Sequence, residues 1–522
     1  MRQFYASIRG AGWLRPSLAD LLLVSLVGWL FVSGQGWSAL LADGDAGWHI
    51  RAGDWMLQHR TVPISDIFSF SRSGAPWFAW EWLSDVVFSL LHRAWGLAGL
   101  TVLSGCVIAL TALALLGDML RRGASALVSL AVLLLSLGAI SIHFLARPHV
   151  FTLLLLVVAL RMVERDRRQP GAAVWLLIPL SVLWVNLHGG FFALPISLAA
   201  LAAGTALEAW LEPERRATGW RRSRRLGALA GGVMAASLVN PYGIGLHRHV
   251  AGYLTSDWIR NAVEEFQAPK FRSENLLYFE GLLLAALLLA GALAARRRWA
   301  DTLLILLWGH LALSSVRHVP VFAIVAAPLV AVESSRLWER WASRQPSRSA
   351  GRILCGLGED LRPSFQRLSP WSVVLAAAAI GLTPGARWPR DFPEAKFPVA
   401  LLRAESSHLA GLRVFTPDQW GDYLIYSGWP RQRVFIDGRS DFYGPSLGEE
   451  YLRLVEGRPG WEQLFQKYDF GAVLIPRSWP LEALLDRDPG WQRRKADALA
   501  VLFQRAREPS LAPPNEIARR GR

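Results

Sequence analysis

The stretch whose reading decides the fold is Leu21–Ala42, LLLVSLVGWLFVSGQGWSALLA, and the run that follows it, Asp43-Gly-Asp45-Ala-Gly-Trp-His49-Ile-Arg51. The first part is uncharged and long enough to cross the ~30 Å of hydrocarbon in a bilayer. It is too long for a cleavable signal, and no small-residue cleavage site follows it cleanly. The second part sets two carboxylates, an imidazole and a guanidinium beside that hydrocarbon. Charges there are costly unless they face a cavity or take part in function. The alternative is a polar cap on a helix.

Working outward, further apolar runs recur along the 522 residues, of which 52% are hydrophobic. We place spans at about 21–42, 97–118, 124–142, 150–163, 172–187, 191–211, 226–240, 278–295, 300–316, 319–333 and 370–386, which makes a polytopic α-helical membrane protein of about eleven spans. The net charge is +15, almost all of it from arginine; the lysines are Lys270, Lys396, Lys467 and Lys495. Such a balance would ordinarily suggest nucleic acid. Here the arginines gather in alternate short loops, as membrane orientation requires, so no nucleic-acid partner is expected. Those loops carry Arg2, Arg9 and Arg15; Arg121 and Arg122; Arg161, Arg165, Arg167 and Arg168; Arg215 to Arg225; Arg296 to Arg298; and the 334–369 stretch. They read as cytoplasmic, which leaves the N-terminus inside and the C-terminus outside. The two cysteines, Cys106 and Cys355, form neither a disulfide framework nor a metal motif.

This orientation sorts the polar residues. Of the eleven histidines only His310 lies mid-span, and none falls in a loop read as cytoplasmic. The outer segments comprise an amphipathic first loop, 43–96; the turn His143 to His149, with Arg147; the turn Trp184 to Gly190, with Asn186 and His188; the loop 240–275, with Glu264-Glu265; and Ser314 to His318, with Arg317. A His or Asn at one helix end is most often a cap. Five such segments on one face with Asp43 and Asp45 point to an outward cavity. Paired carboxylates can serve as general base and electrostatic stabiliser, or share a divalent metal. Arg and His suit phosphate oxygens. The candidate catalytic pair is Asp43 and Asp45, with His49, Arg51, His143, Arg147, His149, Asn186, His188, Arg317 and His318 for a lipid-borne phosphate.

From about 387 the character changes to short alternating runs with Gly and Pro turns. Leu412–Phe415, Asp422–Tyr426, Arg433–Ile436 and Ala472–Ile475 read as strands, and Glu449–Val455 and Trp461–Tyr468 as helices. The domains are then 1–386 in the membrane, 387–505 as an extracytoplasmic α/β domain, and 506–522 as a polar, disordered tail. Glu264, Trp420, Asp422, Asp437, Arg439 and Asp441 are the candidates for the acceptor side.

With these motifs in view, the chain resembles the GT-C superfamily of membrane glycosyltransferases. Asp43-Gly-Asp45 resembles that group's acidic motif after the first span, and the many spans and C-terminal outer domain are similar. There is a fainter likeness to oligosaccharyltransferase catalytic subunits. Asp45 to Arg51-Ala52 resembles their first-loop run, and Trp420-Gly-Asp-Tyr423 keeps part of their Trp-Trp-Asp-Tyr-Gly motif. Their second acidic motif is not visible; His143 and His149 stand in the nearest comparable turn. The resemblance implies inverting transfer of a sugar from a polyprenyl phosphate or pyrophosphate donor to an extracytoplasmic acceptor, at a bacterial-type inner membrane. Asp43 or Asp45 would be the base or a metal-linked carboxylate; Asp45 is favoured because it lies nearer His49 and Arg51. A transporter or lipid flippase, or a non-catalytic assembly protein of envelope polysaccharide biogenesis, are the competing readings.

Overall fold

The computed structural model describes residues 16–32, 36–384 and 388–506. The expected basic positions Arg2, Arg9 and Arg15 and the tail beyond Ala506 lie outside the described residues. The chain divides into two compact units. A helical unit takes Met1–Ile64 and Phe78–Asp391, and a second unit takes Ser65–Trp77 with Phe392–Arg522.

In the helical unit, five helices are long and apolar enough to cross a membrane: Trp82–Arg121, Ala126–His143, Gly189–Leu211, Asn275–Ala295 and Val316–Ser343. Four shorter apolar helices accompany them, Leu18–Phe31, Ala172–Leu187, Trp299–Ser314 and Trp371–Leu382. This is a helical membrane protein, but among the described residues five helices, not eleven, are long and apolar enough to cross a bilayer. The physical reason is length and charge. At 1.5 Å per residue, helices of 11 to 16 residues such as Leu177–Leu187 and Trp299–Ser314 fall short of the hydrocarbon thickness. The span expected at 150–163 lies in helix His149–Arg168, which ends in Arg165, Arg167 and Arg168. The one expected at 226–240 overlaps Arg216–Ala236, whose first half is rich in arginine.

The amphipathic segment at 82–91 and the following span run on as one 40-residue element. It is kinked where Trp95 and Gly96 leave helical geometry, Gly96 at φ +58° and ψ −153°, a region open only to glycine. Close packing depends on small residues. A Cβ on Gly204 would stand 2.4 Å from the Ala300 Cα, so helices Ala193–Leu211 and Trp299–Ser314 touch backbone to backbone there. Around them Trp184, Phe279, Trp308 and Phe322 are fully buried.

Several arginines at the helix ends are held in ion pairs. Arg122 meets Asp118 at 2.7 Å, Arg225 meets Asp166 at 2.8 Å, and Arg167 meets Asp301 at 2.8 Å. Glu333 gathers Arg296, Arg298 and Arg336 at 2.6–2.7 Å.

The second unit is built on a four-stranded mixed sheet of order β1-β2-β4-β3, with β1 Val414–Phe415, β2 Ala472–Pro476, β3 Trp491–Ala496 and β4 Ala500–Arg505. β1 and β2 are parallel and the other pairs antiparallel. β2 reads as a continuous apolar run and is buried almost throughout, as a central strand requires. Helix Trp461–Tyr468 falls where expected, but Asp422–Tyr426 is not a strand: it lies within helix Asp418–Gly428. The alternation there was misleading because Trp420 and Tyr423, Leu424 also recur at helical spacing toward the core, where all three are buried. Of Arg433–Ile436, only Val434 forms bridges, to Ser69 and Val414.

Segment Ser65–Trp77, from the middle of the first loop, is therefore part of this second unit. Phe70 N donates to Val434 O at 2.9 Å, and Val434 N donates to Phe68 O at 3.1 Å. Asp66 caps the turn, accepting from Ser69 N at 2.9 Å and Ser69 Oγ at 2.7 Å. It also pairs with Arg439 at 2.8 Å.

Candidate functional site

The turn that ends the first apolar stretch leads into helix Ala46–His59. Asp43 bends back on it, its Oδ1 accepting from Asp45 N at 2.9 Å. The turn before helix His149–Arg168 is brought alongside by Ala146 N donating to Leu40 O at 2.7 Å. These two backbone features deliver Arg147 to the acidic pair. Its Nη1 lies 3.1 Å from Asp43 Oδ2 and its Nη2 lies 2.6 Å from Asp45 Oδ2. A third carboxylate arrives from the 240–275 loop, Glu265 Oε1 at 2.9 Å from the same Nη1. That loop is tied down by Ser315 Oγ donating to Glu265 O and Val316 N donating to Gln267 O, both at 2.9 Å.

Arg317 completes the row. Its Nη2 stands 3.7 Å from Glu265 Oε2, its Nη1 donates to Tyr253 Oη at 3.4 Å, and its guanidinium lies 4.6 Å from the centre of the Phe266 ring. Arg147 is thus committed to three carboxylates, whereas Arg317 makes longer polar contacts and rests on an aromatic face.

Two guanidinium groups meet three carboxylates in a buried setting, and the imbalance falls on Asp45. Burial, with the nearby charges of Asp43 and Glu265, outweighs Arg147 and pushes its carboxyl up to about 8. For Glu265 the balance runs the other way. Burial alone would raise it, but Arg147 and then Arg317 hold it well below the usual carboxylate range. Arg147, which burial would make easier to deprotonate, is kept firmly charged by Asp43, Asp45 and Glu265.

A row of imidazoles lies in the same unit. His149 Nε2 is 2.6 Å from His143 O, and the rings of His143 and His149 are 4.9 Å apart, those of His149 and His188 6.3 Å. His188 Nδ1 accepts from Gly190 N at 2.9 Å and lies 2.8 Å from Thr152 Oγ1, which itself accepts from Trp184 Nε1. With Nδ1 so occupied, the ring proton of neutral His188 sits on Nε2, 3.4 Å from Glu81 Oε1. Glu81 also lies 3.6 Å from His49 Nε2, and His49 Nδ1 is 2.5 Å from Asp85 Oδ1. Asp85 and His49 are fully buried.

The structure therefore brings Asp43, Asp45, Arg147 and Arg317 into one cluster, and His49, His143, His149 and His188 into the adjoining row. Other expected residues are engaged elsewhere. Arg51 pairs with Asp54 at 3.1 Å. Asn186 is a brace: its Oδ1 accepts from Trp82 Nε1 at 2.6 Å and its amide donates to Val182 O and Val239 O. The His318 ring turns back to Leu311 O at 3.1 Å and toward Trp308. In the 240–275 loop the cluster takes Glu265, not Glu264. Glu81, Asp85 and Glu265 were missed as site residues. The signal for the first two was a pair of acids four residues apart at the head of an apolar helix, which places them on one face.

In the second unit the remaining candidates make contacts within that unit. Trp420 Nε1 donates to Lys396 O at 2.9 Å, and Asp422 Oδ1 accepts from Gly438 N at 2.9 Å. A Cβ on Gly421 would lie 2.1 Å from Ile436 O. The partial Trp-Gly-Asp-Tyr motif is thus a helix–backbone contact. Arg439 is closed into an ion cluster with Asp437, at 2.7 Å through both Nε and Nη2, and with Asp66. Trp77 and Phe68 cover it at 4.5 and 5.0 Å. Asp441 lies in the first turn of helix Ser440–Val455.

The centre on which the carboxylates of Asp43, Asp45 and Glu265 converge is the Arg147 guanidinium, and among the described residues no group of three or more His, Cys, Asp or Glu has metal-holding geometry. The sequence matches no protein-family model and no curated protein.

Proposed function

We propose that the helical unit is a glycosyltransferase of the GT-C kind, moving a sugar from a polyprenyl phosphate or pyrophosphate donor to an acceptor outside the cytoplasm. The observation that carries this reading is the Arg147 cluster. It is a buried carboxylate, Asp45, with a raised pKa, oriented by a guanidinium and set beside a second guanidinium, Arg317, whose polar contacts are long.

The reading gives each group a task. Asp45, once ionised, takes the proton of the acceptor hydroxyl. The acceptor oxygen attacks the anomeric carbon as its bond to the donor phosphate oxygen breaks, and the lipid phosphate departs with the bonding electrons. Arg317 stabilises that charge. Arg147 holds Asp43 and Asp45 in place and is a positioning residue. The buried Asp85–His49 and Glu81–His188 pairs supply a fixed polar wall.

Support comes from the chemistry of the set rather than from relatives. A base, an adjacent phosphate-binding cation and apolar helices long enough to hold a lipid tail occur in one unit. The test is transfer of radiolabelled sugar from a panel of polyprenyl-phosphate donors by the purified chain. We expect at least one donor to be consumed by the wild type, and Asp45→Asn to lose roughly 100-fold or more of that rate. Equal turnover in wild type, Asp43→Asn and Asp45→Asn would overturn the assignment.

A further inference from the structure

We propose a second anion site in the helical unit, separate from the Arg147 cluster: an arginine-lined cavity that seats the phosphate headgroup of an anionic phospholipid. The proposal stands whether or not the chain transfers sugars.

The cavity holds about 580 Å³ and lies between the C-terminal ends of helices Trp82–Arg121 and His149–Arg168. Helix His149–Arg168 begins at the histidine row and ends at this cavity, about 30 Å away at 1.5 Å per residue. The two sites are therefore at opposite ends of one rigid element. This end is the one that the positive-inside rule reads as cytoplasmic.

Five arginines line it, Arg121, Arg122, Arg161, Arg165 and Arg168, against two carboxylates, Asp118 and Glu164. Both carboxylates are already paired. Asp118 holds Arg122 at 2.7 Å, and Glu164 holds Arg167 at 3.0 Å and Arg168 at 2.8 Å. Arg121, Arg161 and Arg165 make no ion pair within 4 Å among the described residues, and the repulsion of Arg121 by Arg161 exceeds its attraction to Asp118. Elsewhere at the helix ends, Glu333, Asp301 and Asp166 each neutralise one or more arginines. An excess of three positive charges concentrated on one concavity is what a multiply coordinated phosphate requires.

The remaining wall selects the source of that phosphate. Ala114, Val158 and Met162 line the same cavity, and Val158 is an exposed apolar residue. A guanidinium pocket bordered by apolar helix surface suits a headgroup whose chains lie along the helices, in the manner of basic pockets between membrane helices. A free phosphate would gain nothing from that border.

The full-length chain, purified and delipidated in detergent, is titrated with phosphatidylglycerol or phosphatidylcholine, and retained lipid is read by native mass spectrometry. A parallel arm uses inorganic pyrophosphate as competitor. The wild type is expected to retain phosphatidylglycerol over phosphatidylcholine. The Arg121→Gln/Arg161→Gln/Arg165→Gln variant is expected to lose that preference, on the order of 100-fold in affinity at about fivefold per arginine. Arg161→Gln alone, should the triple variant fail to fold, is expected to lose about fivefold. Arg216→Gln/Arg221→Gln/Arg224→Gln, on the exposed face of helix Arg216–Ala236, is expected to bind like the wild type. Equal lipid retention in wild type and in the folded triple or single variant overturns the proposal, as does an equal loss in the exposed-face control. Pyrophosphate binding that depends on the three arginines without lipid discrimination overturns the lipid assignment and gives the cavity to a soluble phosphate.

Discussion

At the scale of single residues, the decisive quantity is the charge state of Asp45. Its carboxyl, pushed up to about 8, is mostly neutral at pH 7. In the proposed transfer Asp45 is the base and must be ionised, so the rate of that transfer is expected to rise with pH through about 8 and level off above it. Asp43→Asn removes one of the charges that raise Asp45 and is expected to shift that rise to lower pH, which a rate profile of the two proteins checks. The same shift has a stability consequence of definite sign. Because the folded-state pKa is raised, the contribution of Asp45 is fully present at low pH and is lost as pH climbs through about 8. Asp45→Asn, a neutral isostere, is therefore expected to raise Tm relative to wild type above about pH 8 and to match it below about pH 4. The two cluster arginines are separable by kinetics. In the proposed transfer, Arg317→Gln is expected to raise the donor KM roughly 10- to 100-fold, the scale of a charged hydrogen bond. Arg147→Gln is expected to act mainly on kcat and on the pH profile, because it loosens Asp43 and Asp45.

At the scale of elements, the site depends on how helix Ala46–His59 meets helix Trp82–Arg121. Gly53 is the contact point: a Cβ there would fall 2.0 Å from Asp85 O and 2.7 Å from Ser89 Cβ. Since Asp85 is held at 2.5 Å to His49, forcing these helices apart disturbs the polar wall directly. Gly53→Ala is expected to destabilise by about 1–3 kcal/mol, read as a lower temperature of inactivation in detergent. An unchanged midpoint would show that the helices can separate without cost. That an acidic pair follows the first apolar run was visible in the residue order alone. That Arg147 answers it was not, because the bond from Ala146 N to Leu40 O joins positions about a hundred residues apart.

At the scale of the whole molecule, the chain leaves the helical unit at Ser65 and returns at Phe78, lending its segment Ser65–Trp77 to the second unit. Asp66 and Trp77 there are partners of Arg439. A fragment 392–506 lacks both, leaving one face of a buried guanidinium without its carboxylate and ring. That fragment is expected to unfold at lower temperature and less cooperatively than one with 65–77 joined to it, as circular dichroism melts can decide. Within the joined fragment, Asp66→Ala is expected to cost roughly 1–3 kcal/mol. Asp437→Ala, which removes the carboxylate that grips Arg439 twice, is expected to cost about 3–5 kcal/mol.

By itself the sequence determined the class of molecule and named several of the residues that the structure gathers into one cluster. Apolar runs bounded by arginine are local features, set by hydrocarbon thickness and the expense of burying charge, so a helical membrane protein with a mixed C-terminal unit was legible. Asp43, Asp45, Arg147 and Arg317 were legible as polar groups at span ends. The structure alone gave the helix lengths that separate the apolar runs long enough to cross a bilayer from the shorter ones, since helix ends depend on packing and on charges such as Glu164 and Asp166 that neighbouring arginines neutralise. It alone set Glu265 against Arg147, engaged Asn186 with Trp82, and made helix 418–428 from a strand-like pattern. The reason is common to all of these. A side chain's task depends on which distant atoms it meets, and residue order constrains those meetings only when they lie within a turn or two of the same helix.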